Sequence, residues 1–304
     1  MTTTDAGPKR RLRPRGFGNY MFVLPAAVFL VAFMVYPILF NIQMSFRDMK
    51  AINLLGPGAP WVGFENYAAM LQNPLFLGAL WNSVLFTVFS LVFQVGIGFA
   101  LALFYNRPFP GNKAMRGLYL VAWTIPVVVS GAIFRWLLDG RAGVINWVLD
   151  SLGVIGEPVF WLTEPDRALA AVIFINIWLG IPFNLVLLLA GLQGIPEELY
   201  EAAAVDGATG LTKFRYVTLP LLRPALLATL VLGLIYTFKV FDVIWATTRG
   251  GPVSSTEVLP TLAYKLVFEQ FTFGEGAAIL NLMFVALFLF SLVYLWLVRR
   301  EEAG

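Results

Sequence analysis

The chain has 304 residues, 59% of them hydrophobic and 13% charged, with a net charge of +3. Soluble domains carry about 25% charged residues, and the mean hydropathy of +0.77 points away from them. Cysteine and histidine are both absent, which excludes disulfides, thiolate nucleophiles, Cys/His zinc sites and imidazole acid–base chemistry. What remains is an all-α polytopic membrane protein, with a lipid bilayer as its first partner, no metal set and no surface suited to nucleic acid.

A bilayer core takes about 20 apolar residues per helix. Six stretches meet that length, at about 20–40, 80–105, 117–138, 168–192, 224–245 and 276–298. A basic tail, 1–19, precedes the first. The apolar run behind it is too long for a signal-peptide core, so it is read as a retained anchor. Lys and Arg set the direction. With the N-terminus inside, the basic groups at 9–15, 107–116, 213–223 and 299–300 all fall on the cytoplasmic side. Both termini are then cytoplasmic, and 299–304 is a short inner tail. The whole of 20–298 is one membrane domain.

On the outer side, WVGFENYAAML (61–71) and GVINWVLDSLG (143–153) read as turns leading into short amphipathic helices. TTRGGPVSSTEVLP (247–260) reads as a loop. Trp61, Trp81, Trp136, Trp147, Trp161 and Trp245 all fall near outer ends, where indoles favour the interface.

The inner segment 193–223 breaks the apolar pattern with EELYEAAAVDGATGLTKFRYVTLP (197–220). Pro196 with Glu197 and Glu198 is a helix start, since carboxylates there face the positive end of the helix dipole. Asp206-Gly207 ends that helix, with Gly207 free to take a left-handed conformation. A second short helix is expected from about Leu211, with Phe214 on its apolar face and Leu219-Pro220 as its stop. Ala202 and Ala203 beside Glu201 make a small face that another body can approach closely. The plain alternative is a solvated loop.

A charge inside a span is a functional candidate by default. Lys239 and Asp242 of the fifth span are three residues apart, so they are expected to share a face and pair. That pair is either structural or a gate. Gln94, Asn176, Trp178, Asn184, Tyr236 and Asn281 supply amides and aromatic faces within the spans, with a kink expected at Gly180-Ile181-Pro182. Each is also an ordinary interhelical hydrogen-bonding residue. Asn176, Tyr236 and Asn281 lead as pathway candidates.

Glu201-Ala202-Ala203, Asp206-Gly207-Ala208, Phe214, Leu219-Pro220 and Pro224, in that order, resemble the EAA loop of binding-protein-dependent ABC importer permeases. WVGFENY (61–67) and FKVFDVIWATTRGGP (238–252) resemble two further segments of that family, so the likeness covers most of the chain beyond the first span. The outer Gly-Gly-Pro loop is similar to that of the first of the two permeases in carbohydrate and glycerol-phosphate importers of the maltose-transporter type. Arg249 departs from it, standing where many relatives have a small residue.

The resemblance implies a type I ABC importer permease fold in the bacterial plasma membrane. It implies a second permease subunit, two cytoplasmic ATPase subunits and an extracytoplasmic solute-binding protein as partners. It also implies that the loop is a coupling helix seated in an ATPase cleft. Glu201 would then pair with a basic residue there, Ala202 and Ala203 would pack in the cleft, and Gly207 would give the bend. No G-x-x-x-x-G-K-[ST] occurs; PGNK (110–113) has the wrong spacing and is followed by Ala114. The chain is therefore expected to be non-catalytic and cofactor-free, with ATP and magnesium on the partner ATPase. The cargo is expected to be a sugar, with glycerol-3-phosphate or an acidic sugar as the alternative. An ion-coupled transporter lacks its mid-membrane carboxylate, and an intramembrane enzyme lacks its catalytic groups.

Overall fold

The computed structural model describes residues 18–53 and 58–302. The basic groups at 9–15 lie outside the described residues. The architecture is helical. Among the described residues the β structure is two isolated bridges, Arg47 to Trp61 and Lys50 to Thr272.

Among the described residues five helices are long and apolar enough to cross a membrane, and six if one bent pair counts as a single span. They are α1 (Met21–Ser45), α3 (Pro74–Tyr105), α7 (Pro165–Gln193), α9 (Gly210–Phe238) and α12 (Phe273–Glu302). The bent pair is α4 (Asn112–Trp123) and α5 (Val127–Leu137). Shorter helices are α2 (Glu65–Gln72), α6 (Val144–Ser151), α8 (Glu197–Val205), α10 (Asp242–Thr247) and α11 (Leu259–Tyr264). The amphipathic helices expected at 61–71 and 143–153 are α2 and α6.

The third span differs from expectation. It is not one rod: α4 and α5 meet at 95°. Pro126 is extended, with ψ 135°, and proline biases the residue before it away from helix. An unbroken apolar run hides that corner. By contrast, α7 passes through Gly180-Ile181-Pro182 as one helix.

The centre of the molecule is the packing of α3 along α7. Lipid offers no hydrophobic drive between helices, so small and hydrogen-bonding residues make the seam. On α3 these are Ser83, Thr87, Ser90, Gln94 and Gly98, all buried. A Cβ on Gly98 would lie 2.7 Å from Asn184 Cβ, and one on Gly180 would meet the Gln94 carboxamide at 2.2 Å. Two clusters flank the seam. Phe86, Val172, Ile175 and Ile244 fill one end; Ala102, Tyr105, Leu188 and Leu222 fill the other. The start of α3 is capped by Asn73, whose side chain accepts from Leu75 N–H at 2.9 Å with Pro74 in the first turn.

The GFENY segment has a structural explanation. The Asn66 amide donates to Ser45 O at 2.7 Å and Arg47 O at 3.0 Å. Tyr67 shares a hydrogen bond with Ser45 Oγ at 2.7 Å, and its ring packs on Phe46 and Phe64. The end of α1 is thereby fastened to α2. The rest of α1 is exposed over its apolar window.

Candidate functional site

Three features stand out: a turn at Gly207, a cavity between α3, α7 and α9, and the loop between α10 and α11.

The turn comes first. α8 begins after Pro196 with Glu197 and Glu198 in its first turn and has no buried residue. Glu201, Ala202 and Asp206 are exposed, and Ala203 is half-buried. Gly207 has φ +79°, and nothing lies within 4 Å of a Cβ added there. The glycine is needed for its backbone, not for space. Thr209 caps the next helix, accepting from Thr212 N–H at 3.5 Å.

Here the sequence expectation needs correcting. Leu219-Pro220 stops nothing. The helix that starts at Gly210 continues to Phe238. A widened π turn, Phe214–Thr218, stands just ahead of Pro220, and Leu219 N–H reaches back five residues to Phe214 O. Proline has no N–H to give, and a widened turn re-pairs the backbone around it. Phe214 packs against Phe99 of α3, with centroids 6.1 Å apart. The expected second short helix and the fifth span are thus one element.

That helix ends at a cavity of about 470 Å³ lined by Gln94, Trp123, Asn176, Gly180, Phe183, Asn184, Gly233, Tyr236, Lys239 and Asp242 among others. Gln94 Nε2 donates to Asn176 O at 2.7 Å. Asn176 is 7% exposed and Asn184 1%, yet Asn176 Nδ2 and Asn184 Oδ1 have no partner among the described residues. A buried unpaired donor or acceptor costs about 1–3 kcal/mol, so the cavity wall holds one donor and one acceptor in reserve. Tyr236 meets Phe183 edge-on at 5.6 Å.

Lys239 and Asp242 both line this cavity, but they do not share a helical face. α9 ends at Phe238 and α10 begins at Asp242, so the chain is non-helical between them. They form no ion pair among the described residues. The Lys239 ammonium instead lies 5.1 Å from the centre of the Tyr236 ring, a cation–π contact.

Two other candidates sit elsewhere. Trp178 is two residues from Asn176, about 200° around the helix, and packs edge-on against Phe134 at 5.2 Å. Asn281 ties α12 to α1, accepting from Asn41 at 2.7 Å and donating to Ser45 Oγ at 2.8 Å. Its role in the structure is interhelical.

A family model described as a binding-protein-dependent transport system inner membrane component matches residues 94–302. The chain belongs to that family. It is a membrane permease subunit, and the matched region runs from Gln94 through the cavity, the Gly207 turn and the loop between α10 and α11. The permease is 36% identical over 282 residues to the sulfoquinovosyl glycerol transport system permease protein of Agrobacterium fabrum, covering 93% of this chain and 90% of that protein. It is 35% identical over 278 residues to the trehalose/maltose transport system permease protein of Thermococcus litoralis, covering 91% and 92%. Among solved structures it superposes on a bacterial ABC transporter for the acidic polysaccharide alginate with a TM-score of 0.80, at 26% identity, over 93% of this chain and 96% of that one.

The loop between α10 and α11 of the permease holds groups that the sequence did not single out. Glu257 is 1% exposed, and its Oε2 accepts from the Lys265 ammonium. A Cβ on Gly250, at φ +86°, would lie 2.2 Å from that oxygen. Thr256 Oγ1 bonds Gly251 O and Thr248 Oγ1, both at 2.7 Å. Asn82 of α3 donates to Ser255 O at 3.1 Å and Glu257 O at 3.0 Å. Arg249, Val253 and Ser254 carry positive φ, a strained conformation for non-glycine residues that this network holds in place. A glutamate in a Ser/Thr/Gly loop reads as solvated; only the glycine pair before it hints at close packing.

Proposed function

We propose that this chain is the permease subunit of an ATP-driven importer that passes a sugar or sugar derivative across the plasma membrane by alternating access. The relatives named for sulfoquinovosyl glycerol and for trehalose/maltose support the cargo class. So does the alginate importer, whose structure with a pentasaccharide-bound periplasmic protein also supports delivery by a binding protein. Glycerol-3-phosphate is the competing cargo. A second permease and two ATPase subunits complete the assembly, with ATP and magnesium on the ATPases and both termini of this chain in the cytoplasm.

One observation carries the mechanism. The exposed helix α8 is joined through Gly207 to a single helix whose far end lines the cavity. An ATPase that grips α8 would therefore act, through the Gly207 bend and one continuous helix beyond it, on the wall formed by Gly233, Tyr236 and Lys239. Glu201 is the acid of the small-faced turn and the contact for a basic group of the ATPase. The cavity is the passage: Asn176 Nδ2 and Asn184 Oδ1 supply a donor and an acceptor to sugar hydroxyls, and Tyr236 supplies a face for the ring. Glu201→Lys should abolish ATPase co-purification, or cut binding-protein-dependent uptake at least tenfold, with the permease still inserted. Wild-type pull-down together with wild-type uptake would overturn the coupling assignment.

A further inference from the structure

The connection between α3 and α4 belongs neither to the cavity nor to the Gly207 turn. Asn112, 8% exposed, pins it. Its Nδ2 donates to Tyr105 O at 2.9 Å and Arg107 O at 2.6 Å, while its Oδ1 has no partner among the described residues. A recess of about 610 Å³ opens there, with Arg107, Gly111, Asn112, Lys113 and Arg116 in its wall. The charge is of one sign. None of Arg107, Lys113 and Arg116 has a carboxylate partner among the described residues, and 105–123 contains no Asp or Glu. Arg116 gives one guanidinium N–H to Tyr105 O, and its buried Nε–H has no acceptor. The amides that open α4 are at the same place, with Gly111 as an N-cap that offers them no side chain. A helix of this length presents partial positive charge there.

A second recess, of about 350 Å³, has in its wall Tyr105 and Met115, the chain neighbours of Asn106, Ala114 and Arg116 in the first, and Tyr105 O accepts from both Asn112 and Arg116. It is lined by Tyr105, Met115, Leu118, Tyr119, Trp178 and Ile181 among others. It runs along α4 and α7 toward mid-span, and Leu118 is 76% exposed at its edge. A cationic, hydrogen-bonding recess beside an apolar one has the chemistry of one glycerophospholipid. A free anion would use only the first recess.

We propose that the α3–α4 connection is a binding site for an anionic glycerophospholipid. Its phosphate sits among Arg107, Lys113, Arg116 and the first amides of α4, and one acyl chain lies between α4 and α7. A headgroup hydroxyl donates to Asn112 Oδ1. Phosphatidylglycerol carries all three features. Basic groups at a membrane surface each contribute about fivefold to such binding.

The test is native mass spectrometry of the purified importer complex, titrated with phosphatidylglycerol, phosphatidylcholine or inorganic phosphate. The wild-type complex should retain phosphatidylglycerol in preference to phosphatidylcholine, and inorganic phosphate should not displace it. Arg107→Gln with Lys113→Gln should weaken retention on the order of 30-fold while ATPase co-purification is unchanged. Leu118→Gln should weaken it with the charges intact. Three results would each overturn the proposal: equal retention of the two lipids, displacement by inorganic phosphate, or unaltered retention in the charge variant. Loss of the ATPase from the charge variant with lipid retention unaltered would assign the loop to the ATPase instead.

Discussion

Gly96 and Gly98 lie two residues apart on α3 and should respond very differently to the same substitution. A Cβ at position 98 would lie 2.7 Å from Asn184 Cβ and 3.2 Å from the backbone of Asn184 and Leu185. Carbon atoms pack at about 3.5–4.0 Å, so α3 and α7 would have to part by roughly 1 Å. Gly98→Val adds two further methyl groups to that gap. Overpacking costs about 1–3 kcal/mol, and the blocking atoms are a Cβ and backbone that cannot rotate aside, which places the cost at the upper end. Helix propensity returns under about 0.5 kcal/mol for a Gly-to-Val change. The net loss is about 3 kcal/mol, and the separation draws Gln94 away from Asn176 O at the cavity. A Cβ at position 96 meets nothing within 4 Å, so Gly96→Val should leave stability within about 0.5 kcal/mol. Thermal unfolding of the purified importer, paired with uptake in proteoliposomes, measures both. If the two variants behave alike, the close approach of α3 to α7 at Gly98 is wrong.

Gly207→Val should lose coupled uptake at normal expression, while Gly207→Asn should keep most of it. The site is open, so the penalty is backbone strain alone, roughly 1–2 kcal/mol for a left-handed residue, and asparagine tolerates that conformation. Equal uptake by the two would show that the bend does not matter. Exchanging the charges, Lys239→Asp with Asp242→Lys, should rescue neither single variant, because Lys239 rests on Tyr236; recovery of uptake in the double variant would restore a direct pair. Glu257→Gln should destabilise the permease by about 3 kcal/mol, since removing one partner of a buried pair leaves the other uncompensated. Glu257→Leu with Lys265→Met should be less damaging than Glu257→Leu alone, as read by thermal unfolding.

The elements legible in the sequence are those whose signals are local. Length and apolarity reveal the five straight spans though not the 95° corner in the third, Pro196-Glu197-Glu198 marks the start of α8, and Asp206-Gly207 marks its end. The elements that were missed depend on what lies opposite. Leu219-Pro220 looks like a stop until a π turn ahead of it takes up the missing N–H. Lys239 and Asp242 have helical spacing on paper, but the helix ends between them. Asn176 and Asn281 are the same residue type in the same apolar setting. Gln94 faces the backbone of one and brings it to the cavity, while Asn41 and Ser45 claim the other. Glu257 is buried only because α3 supplies Asn82 above it and α11 leads to Lys265.

The unbroken run of α9 makes its length an angle as well as a distance. Each residue of an α-helix rotates the next by about 100°. One residue inserted between Thr218 and Gly233 would turn Tyr236 and Lys239 by that amount relative to α8, and take them off the cavity wall without changing a side chain at either end. Seven inserted residues would bring them back to within about 20° while moving them about 10 Å along the axis. The residues between the Gly207 turn and the cavity therefore keep two distant surfaces in phase, even where they touch neither.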